Sequence, residues 1–164
     1  GDAGTSEPND PTTRRGIELA TFWEINDYLV LDASFTKNHA RFKNAPDGFD
    51  RVPDAHEVTV NMGITLVHPS GFTGSFRMRH FGDAPLEESD SIKKEGATLY
   101  NLGISYTTNR WDFGFDVLNV FNSDDNDIEF WFESQLLNED DPEEDFHFHP
   151  VESRAYRAIF KYKF

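Results

Sequence analysis

Residues 155–164 read AYRAIFKYKF. In an extended chain Tyr156, Ala158, Phe160, Tyr162 and Phe164 fall on one face, and Arg157, Ile159, Lys161 and Lys163 on the other. A period of two identifies a strand, here with an aromatic face and a mostly charged one. Such a strand needs an apolar phase on one side and a wet or polar one on the other. Two architectures supply that. One is a membrane-spanning sheet, whose apolar face meets lipid. The other is a soluble sandwich, whose apolar face meets a second sheet.

Six further segments alternate in the same way. About Arg14 to Ile25, Ile17, Leu19 and Trp23 oppose Glu18 and Glu24. From Tyr28, Leu29, Leu31, Ala33 and Phe35 oppose Asp32, Ser34 and Thr36. Between His56 and Val67, Val58, Val60, Met62, Ile64 and Leu66 oppose Glu57, Thr59, Asn61, Gly63 and Thr65. Gly71 to Phe81 sets Phe72, Phe76 and Met78 against Ser75, Arg77 and Arg79. Ala97 to Thr107 sets Tyr100, Leu102, Ile104 and Tyr106 against Asn101, Gly103 and Ser105. From Arg110, Trp111, Phe113, Phe115 and Val117 oppose Asp112, Gly114 and Asp116. The last strand spans about Val151 to Phe164. Strands of roughly ten residues match what a tilted strand needs to cross a bilayer.

The connections sort by length. Asn26-Asp27, His68 to Gly71 and Thr107 to Arg110 are short, whereas 38–55, 82–96 and 136–149 are long and acidic. Outer-membrane barrels have short periplasmic turns and long outer loops, and a soluble meander has no reason to sort its loops. Aromatics gather beside the short turns: Trp23, Tyr28, Phe72, Tyr106, Trp111, Tyr162 and Phe164. That placement fits an interfacial girdle.

The chain has 164 residues, a formal net charge of −15, 16 Phe and no cysteine. The acidic balance makes nucleic acid an unsuitable partner, since phosphate contacts need a basic surface. Without cysteine there is no disulfide frame and no thiolate chemistry. No apolar run is long enough for a membrane helix, which leaves strand crossings open. The N-terminal GDAGTSEPNDPTT is polar and turn-rich, with no secretory-signal pattern, and reads as the middle of a loop.

Parity constrains the rest. With Phe164 at the periplasmic side, the last strand descends and the sixth ascends. The apolar piece Ile128 to Phe132 then either continues the sixth strand after a break or forms part of an outer hairpin. Seven antiparallel crossings do not close on themselves, and single-chain bacterial barrels have even strand counts. The expected fold class is therefore all-β, a set of antiparallel transmembrane β-barrel strands forming part of a larger barrel. Two other architectures fit parts of the pattern. Counting Ile128–Phe132 as a crossing gives a stand-alone eight-stranded porin-like barrel. Burying the apolar faces gives a soluble β-sandwich carbohydrate-binding module.

Residues 110–164, with RWDFGFDVLNVFNSDDNDIEF and DFHFHPVESRAYRAIFKYKF, resemble the C-terminal end of a TonB-dependent outer-membrane receptor. The element Asn119-Val120-Phe121-Asn122 and the terminal aromatic strand carry the likeness. GDAGTSEP followed by RRGIEL, and GFTGSFRMRHFGDAPL before the Tyr100–Tyr106 strand, extend it over the whole chain, residues 1–164. The resemblance implies a 22-stranded barrel filled by an N-terminal plug. It also implies uptake of a scarce nutrient (a metal chelate such as a siderophore, cobalamin or a saccharide) and coupling to the TonB complex. Against that pattern the sequence is expected to supply neither plug nor TonB box and about a third of the strands, so coupling to TonB is expected to belong to the N-terminal region of a parent protein. The implied partners are outer-membrane lipid and, through the last strand, the barrel-assembly machinery, with Phe160, Tyr162 and Phe164 as its signal.

Arg77 and Arg79 share a lumen-side face, placed to attract an anionic substrate, to pair with a plug domain or, most plainly, to pair with Glu57 or other lumen acids on neighbouring strands. His147 and His149 stand two apart beside Asp145, placed either to hold a metal chelate or to anchor the loop. These four are the candidate substrate-binding residues. Asp112 and Asp116 share a face in the manner of a glycosidase pair, but nothing beside them completes an active site. No catalytic residue, resident metal or cofactor is expected, and no phosphate loop or zinc signature is present.

Overall fold

Aromatic and β-branched residues at every second position favour a pleated surface with one face removed from water. Seven such stretches in succession, joined by turns, build a meander. The computed structural model describes residues 10–164. Its strands are β1 (Thr12–Asn26), β2 (Leu29–Phe42), β3 (Val58–Val67), β4 (Phe72–Phe81), β5 (Ala84–Pro85), β6 (Lys93–Lys94), β7 (Ala97–Thr107), β8 (Trp111–Leu118), β9 (Asn126–Ser134), β10 (Glu143–Pro150) and β11 (Ala155–Tyr162). Among the described residues, seven of them form one sheet in the order β1-β2-β3-β4-β7-β8-β11. Every pairing in it is antiparallel. β5–β6 and β9–β10 are separate two-stranded excursions carried by the long connections.

The register joins the apolar positions into one continuous face. Leu31 lies opposite Ile64, Ile64 opposite Phe76 and Phe76 opposite Leu102. Leu102 lies opposite Val117, and Val117 opposite Tyr156. This face stays open: Ile104 is 52% and Phe160 59% exposed. The buried apolar residues Ala40, Ala84, Leu86, Ala97 and Val151 all lie at the long-loop end. The surface area is 12012 Å², against about 8,300 Å² for a compact monomer of this mass. The soluble-sandwich reading is overturned, because no second sheet covers the apolar face among the described residues. The eight-stranded reading is overturned too. β9 is outside the main sheet, and β1 and β11 do not pair.

Two boundaries differ from the sequence reading. β2 continues to Phe42, because residues 38–42 pair with Thr12–Gly16 of β1. The first long connection thus starts at Lys43 and not at 38. Of the two placements left open for Ile128–Phe132, the structure has the outer hairpin, with Ile128 opposite His149 and Phe132 opposite Asp145; what differs is that 143–150 forms its second strand. His147 and His149 accordingly sit on a strand. The GDAGTSEP element lies outside the described residues.

At the short-turn end, side chains and glycine set the geometry. Asn26 Oδ1 accepts from the backbone N–H groups of Tyr28 and Leu29 at 2.9 and 3.0 Å. Thr108 Oγ1 accepts from Trp111 N–H at 2.9 Å. Aromatic rings line this end, with Phe72 on Tyr106 at 4.5 Å and Trp111 on Tyr162 at 4.4 Å between centroids. Gly71 has φ +97°, and a Cβ there would sit 2.3 Å from the Thr107 carbonyl oxygen. A side chain at Gly71 is thus both strained and blocked by backbone. Gly71→Ala is expected to destabilise the folded chain by about 1–3 kcal/mol. Gly74→Ala, whose Cβ would meet nothing within 4 Å, is expected to change little. Urea titration of both variants in detergent micelles measures the difference.

Candidate functional site at the loop end

The polar face begins with small residues that make room for charge. Asp32, Gly63 and Arg77 are successive cross-strand neighbours on β2, β3 and β4. Gly63 contributes no side chain, so the Arg77 guanidinium reaches over it to Asp32, at 3.2 and 3.3 Å. Asp116 takes Arg157 at 2.7 Å, and Asp112 takes Lys163 at 2.8 Å. These exposed pairs orient side chains and contribute little to stability. Arg77 is thus bound to a neighbouring carboxylate, the plainest of its expected roles, with Asp32 as the acid. Asp112 and Asp116 each hold a cation.

Arg79, two residues nearer the loops, has no ion pair among the described residues. It lines a cavity of about 240 Å³ with His56, Lys94, Leu99, Asp127 and Glu152. Lys94 is 5% exposed. Its ammonium lies 3.4 Å from Asp54 Oδ1 and 3.2 Å from the Asp127 carbonyl oxygen. A lysine is buried only where partners offset its desolvation. Lys94 therefore fastens the β6 segment to the first long loop and to the base of the β9–β10 hairpin. His56 Nδ1 lies 2.7 Å from the Gly82 carbonyl oxygen. Nothing in the sequence marked Lys94, His56 or Asp127. The lysine is one of two adjacent ones on a short strand, and its burial comes from loops far apart in sequence.

A second cavity, of about 260 Å³, lies among Arg51, Glu57, Gly82, Pro85, Asp90 and Lys93. Arg51 bridges Glu57 at 2.9 Å and Asp90 at 2.8 Å, and Lys93 approaches Asp90 at 3.3 Å. Backbone bonds from Arg51 N–H to Glu88 O and from Asp54 N–H to Pro85 O stitch the two loops together. The loop end is thus a built surface.

The hairpin stands on Asn119. Its side chain is 6% exposed with φ +48°, a left-handed conformation that asparagine tolerates better than most residues. Nδ2 donates to the carbonyls of Ser123 and Glu152 at 2.8 and 3.0 Å, and Oδ1 accepts from Ser123 N–H at 2.9 Å. Phe121 meets Tyr100 edge-on at 4.9 Å. Asn122 Oδ1 accepts from Arg154 N–H at 2.9 Å. The Asn-Val-Phe-Asn element is therefore a clamp that gathers the chain leaving β8 and the chain returning to β11.

The two candidate histidines have different surroundings. His149 Nδ1 lies 2.8 Å from Asp127 Oδ1. This bond, foremost, holds the Asp127 carboxyl below the usual aspartate value. His147 stacks on Phe132 with centroids 3.8 Å apart, and its Nε2 has no partner. Among the described residues no three His, Asp or Glu groups converge as a metal would require. Arg79 and Asp127 both line the cavity, and His149 reaches it only through its bond to Asp127; Arg77 and His147 are not among the lining residues.

No protein-family model matches the sequence. Solved structures do match. The closed form of the ferric-catecholate import receptor Fiu from Escherichia coli K12 superposes with a TM-score of 0.70 at 17% identity, over 98% of this chain and 22% of the receptor. The ferric yersiniabactin uptake receptor FyuA from Yersinia pestis gives 0.67 at 14% identity, over 91% and 23%. BauA, the ferric preacinetobactin receptor from Acinetobacter baumannii, gives 0.66 at 16%, over 91% and 22%. The chain thus has the fold of a barrel segment of TonB-dependent outer-membrane receptors. It spans 22% of the length of the first of these receptors.

Asn119→Ala leaves two carbonyls and one N–H of the clamp without their partner. Each buried orphan costs about 1–3 kcal/mol. Amide exchange across β9 and β10 is expected to speed up while exchange in β3 and β4 stays slow. The Asp127–His149 bond predicts an acid dependence. Because the folded pKa of Asp127 is depressed, the bond stabilises the hairpin above the ordinary carboxylate range and is lost as pH falls through that lowered value. Asp127→Asn is expected to remove this acid-dependent part of the exchange profile.

Proposed function

We propose that this chain forms part of the wall and outer surface of a bacterial outer-membrane receptor that takes up ferric chelates. The observation that carries the proposal is the open apolar face. A sheet whose large apolar side chains remain exposed on one side and whose ion pairs line the other suits lipid outside and a wet lumen inside. Receptors of the same fold include the ferric-catecholate import receptor Fiu and the ferric yersiniabactin uptake receptor FyuA. Others are the ferric preacinetobactin receptor BauA and the ferric citrate transporter FecA. These neighbours support an iron chelate over cobalamin or a saccharide.

In this reading the loop end faces the medium, and the Arg79–Lys94–His56 cavity meets the chelate. Arg79, which forms no ion pair among the described residues, suits the carboxylate or catecholate oxygens of a ferric chelate. The membrane part is tested by charge on either face. Met62→Arg is expected to destabilise the lipid-inserted chain by about 2–4 kcal/mol, and Thr65→Arg, on the polar face, by far less. Urea titration in vesicles reads both, and equal costs would contradict the assignment of faces. For the chelate, tryptophan quenching of the micelle-folded chain by a ferric tris-catecholate is expected to weaken severalfold in Arg79→Gln. Unchanged quenching in that variant would remove this cavity from the binding surface.

A further inference from the structure

The register places Arg15, Lys37 and Arg41 on the same face as Leu19, Leu31 and Phe35, two residues apart along β1 and β2. Ile17 lies opposite Lys37, Arg15 opposite His39 and Thr13 opposite Arg41. These positions follow directly on the apolar belt towards the loop end. β2 runs 14 residues, and about ten suffice to cross. Lys37, opposite Val58 at the start of β3, stands where the belt stops, and His39 and Arg41 stand beyond it. On the apolar face of the seven described strands, the permanently charged side chains are these three, and all are cationic. No carboxylate occupies a strand position there, in a chain whose net charge is −15.

Their partners divide them. Arg41 is held by Asp50 at 3.5 Å and Glu57 at 3.7 Å. Glu57, the nearest acid, is also engaged by Arg51 at 2.9 Å and lies 3.7 Å from His39. Arg15 and Lys37 are exposed and form no ion pair among the described residues. They flank a groove of about 340 Å³ lined also by Gly16, Ile17, Asn38, His39 and Glu57, whose carboxylate is engaged by Arg41 and Arg51. Gly16 is required there, since a Cβ would lie 2.5 Å from the Lys37 carbonyl oxygen.

We propose that Arg15 and Lys37 form a docking site for the phosphate headgroups of lipids in the leaflet on the loop side. The proposal rests on the membrane-spanning reading above. An apolar belt fixes the depth of the sheet, and depth brings these two cations to the headgroup layer. There the negative surface supplies anions beyond Glu57, the carboxylate that lines this groove and is already engaged by Arg41 and Arg51. Arginine offers a planar fork for a phosphate, and lysine a point charge on an apolar stem that lies along the belt.

The test uses the full chain, wild type and R15Q/K37Q, diluted from urea into vesicles of phosphatidylcholine alone or with phosphatidylglycerol, and read by flotation. Wild type is expected to partition more strongly into the phosphatidylglycerol vesicles, by about fivefold for each cation reaching the headgroups. The preference is expected to shrink with added salt. R15Q/K37Q is expected to lose it while floating with phosphatidylcholine as wild type does. Free inorganic phosphate at the same ionic strength is expected to leave the preference intact, and competition by it would overturn the lipid as the ligand. Equal flotation of wild type with both vesicles, or an unchanged preference in the variant, overturns the inference and leaves the membrane reading standing. Failure of wild type to float with either vesicle overturns both.

Discussion

Strand register is the constraint on which the rest of this structure depends. Side chains alternate with a period of two, so a slip of one residue in any pair would carry a whole strand's apolar set to the opposite face. From Trp23 and Leu31 through Ile64, Phe76, Leu102 and Val117 to Tyr156, the pairing keeps every strand in phase. The three short turns hold that phase, and each relies on a specific device: the Asn26 side chain, the left-handed Gly71 and the Thr108 hydroxyl. Because the phase is common, the apolar side chains make one belt and the ion pairs one interior lining.

The two ends of the sheet then differ in kind. At the turn end, aromatic rings pack laterally over backbone that turns within two to four residues. At the loop end the chain leaves the sheet, and polar groups replace apolar area as the organising force. Asn119 satisfies both the outgoing and the returning chain. Lys94 ties three segments through one ammonium. Arg51 joins the first two long loops. Such networks need every member satisfied. The cost of breaking one falls on the loop end and leaves the belt intact. Among the described residues the outer edges of β1 and β11 carry unpaired backbone groups, and in hydrocarbon each would cost several kcal/mol. The sheet is therefore complete only with further strands beside it.

Much of this was legible in the sequence, because alternation is a local signal. The third segment, from Val58 to Val67, and the fifth, from Ala97 to Thr107, were readable almost to the residue. What was lost lies where structure depends on distant pairing. The polar run from Asn38 to Phe42 has no apolar alternation, and its ladder with β1, with backbone bonds to Glu57 and Asp50 on the other side, keeps it extended. The His147 and His149 segment reads as a loop because acidic residues and proline surround it, and the sequence leaves its partner Ile128–Phe132 open between a continued crossing and an outer hairpin. In the candidate site, Arg77 and Arg79 were found by their shared face. The sequence did not say that Asp32 would capture one and, among the described residues, leave the other without an ion pair. Lys94 and Asp127 carried no signal, since their roles arise from loops that meet only after folding.

The most direct measurement concerns which face meets lipid. Single reporter labels placed in turn from position 58 to 67 of the lipid-inserted chain can be quenched by either a lipid-soluble or a water-soluble agent. The account predicts a period of two, with lipid access at 60, 62, 64 and 66 and water access at 59, 61, 63 and 65. The opposite phase, or uniform access without alternation, would contradict it.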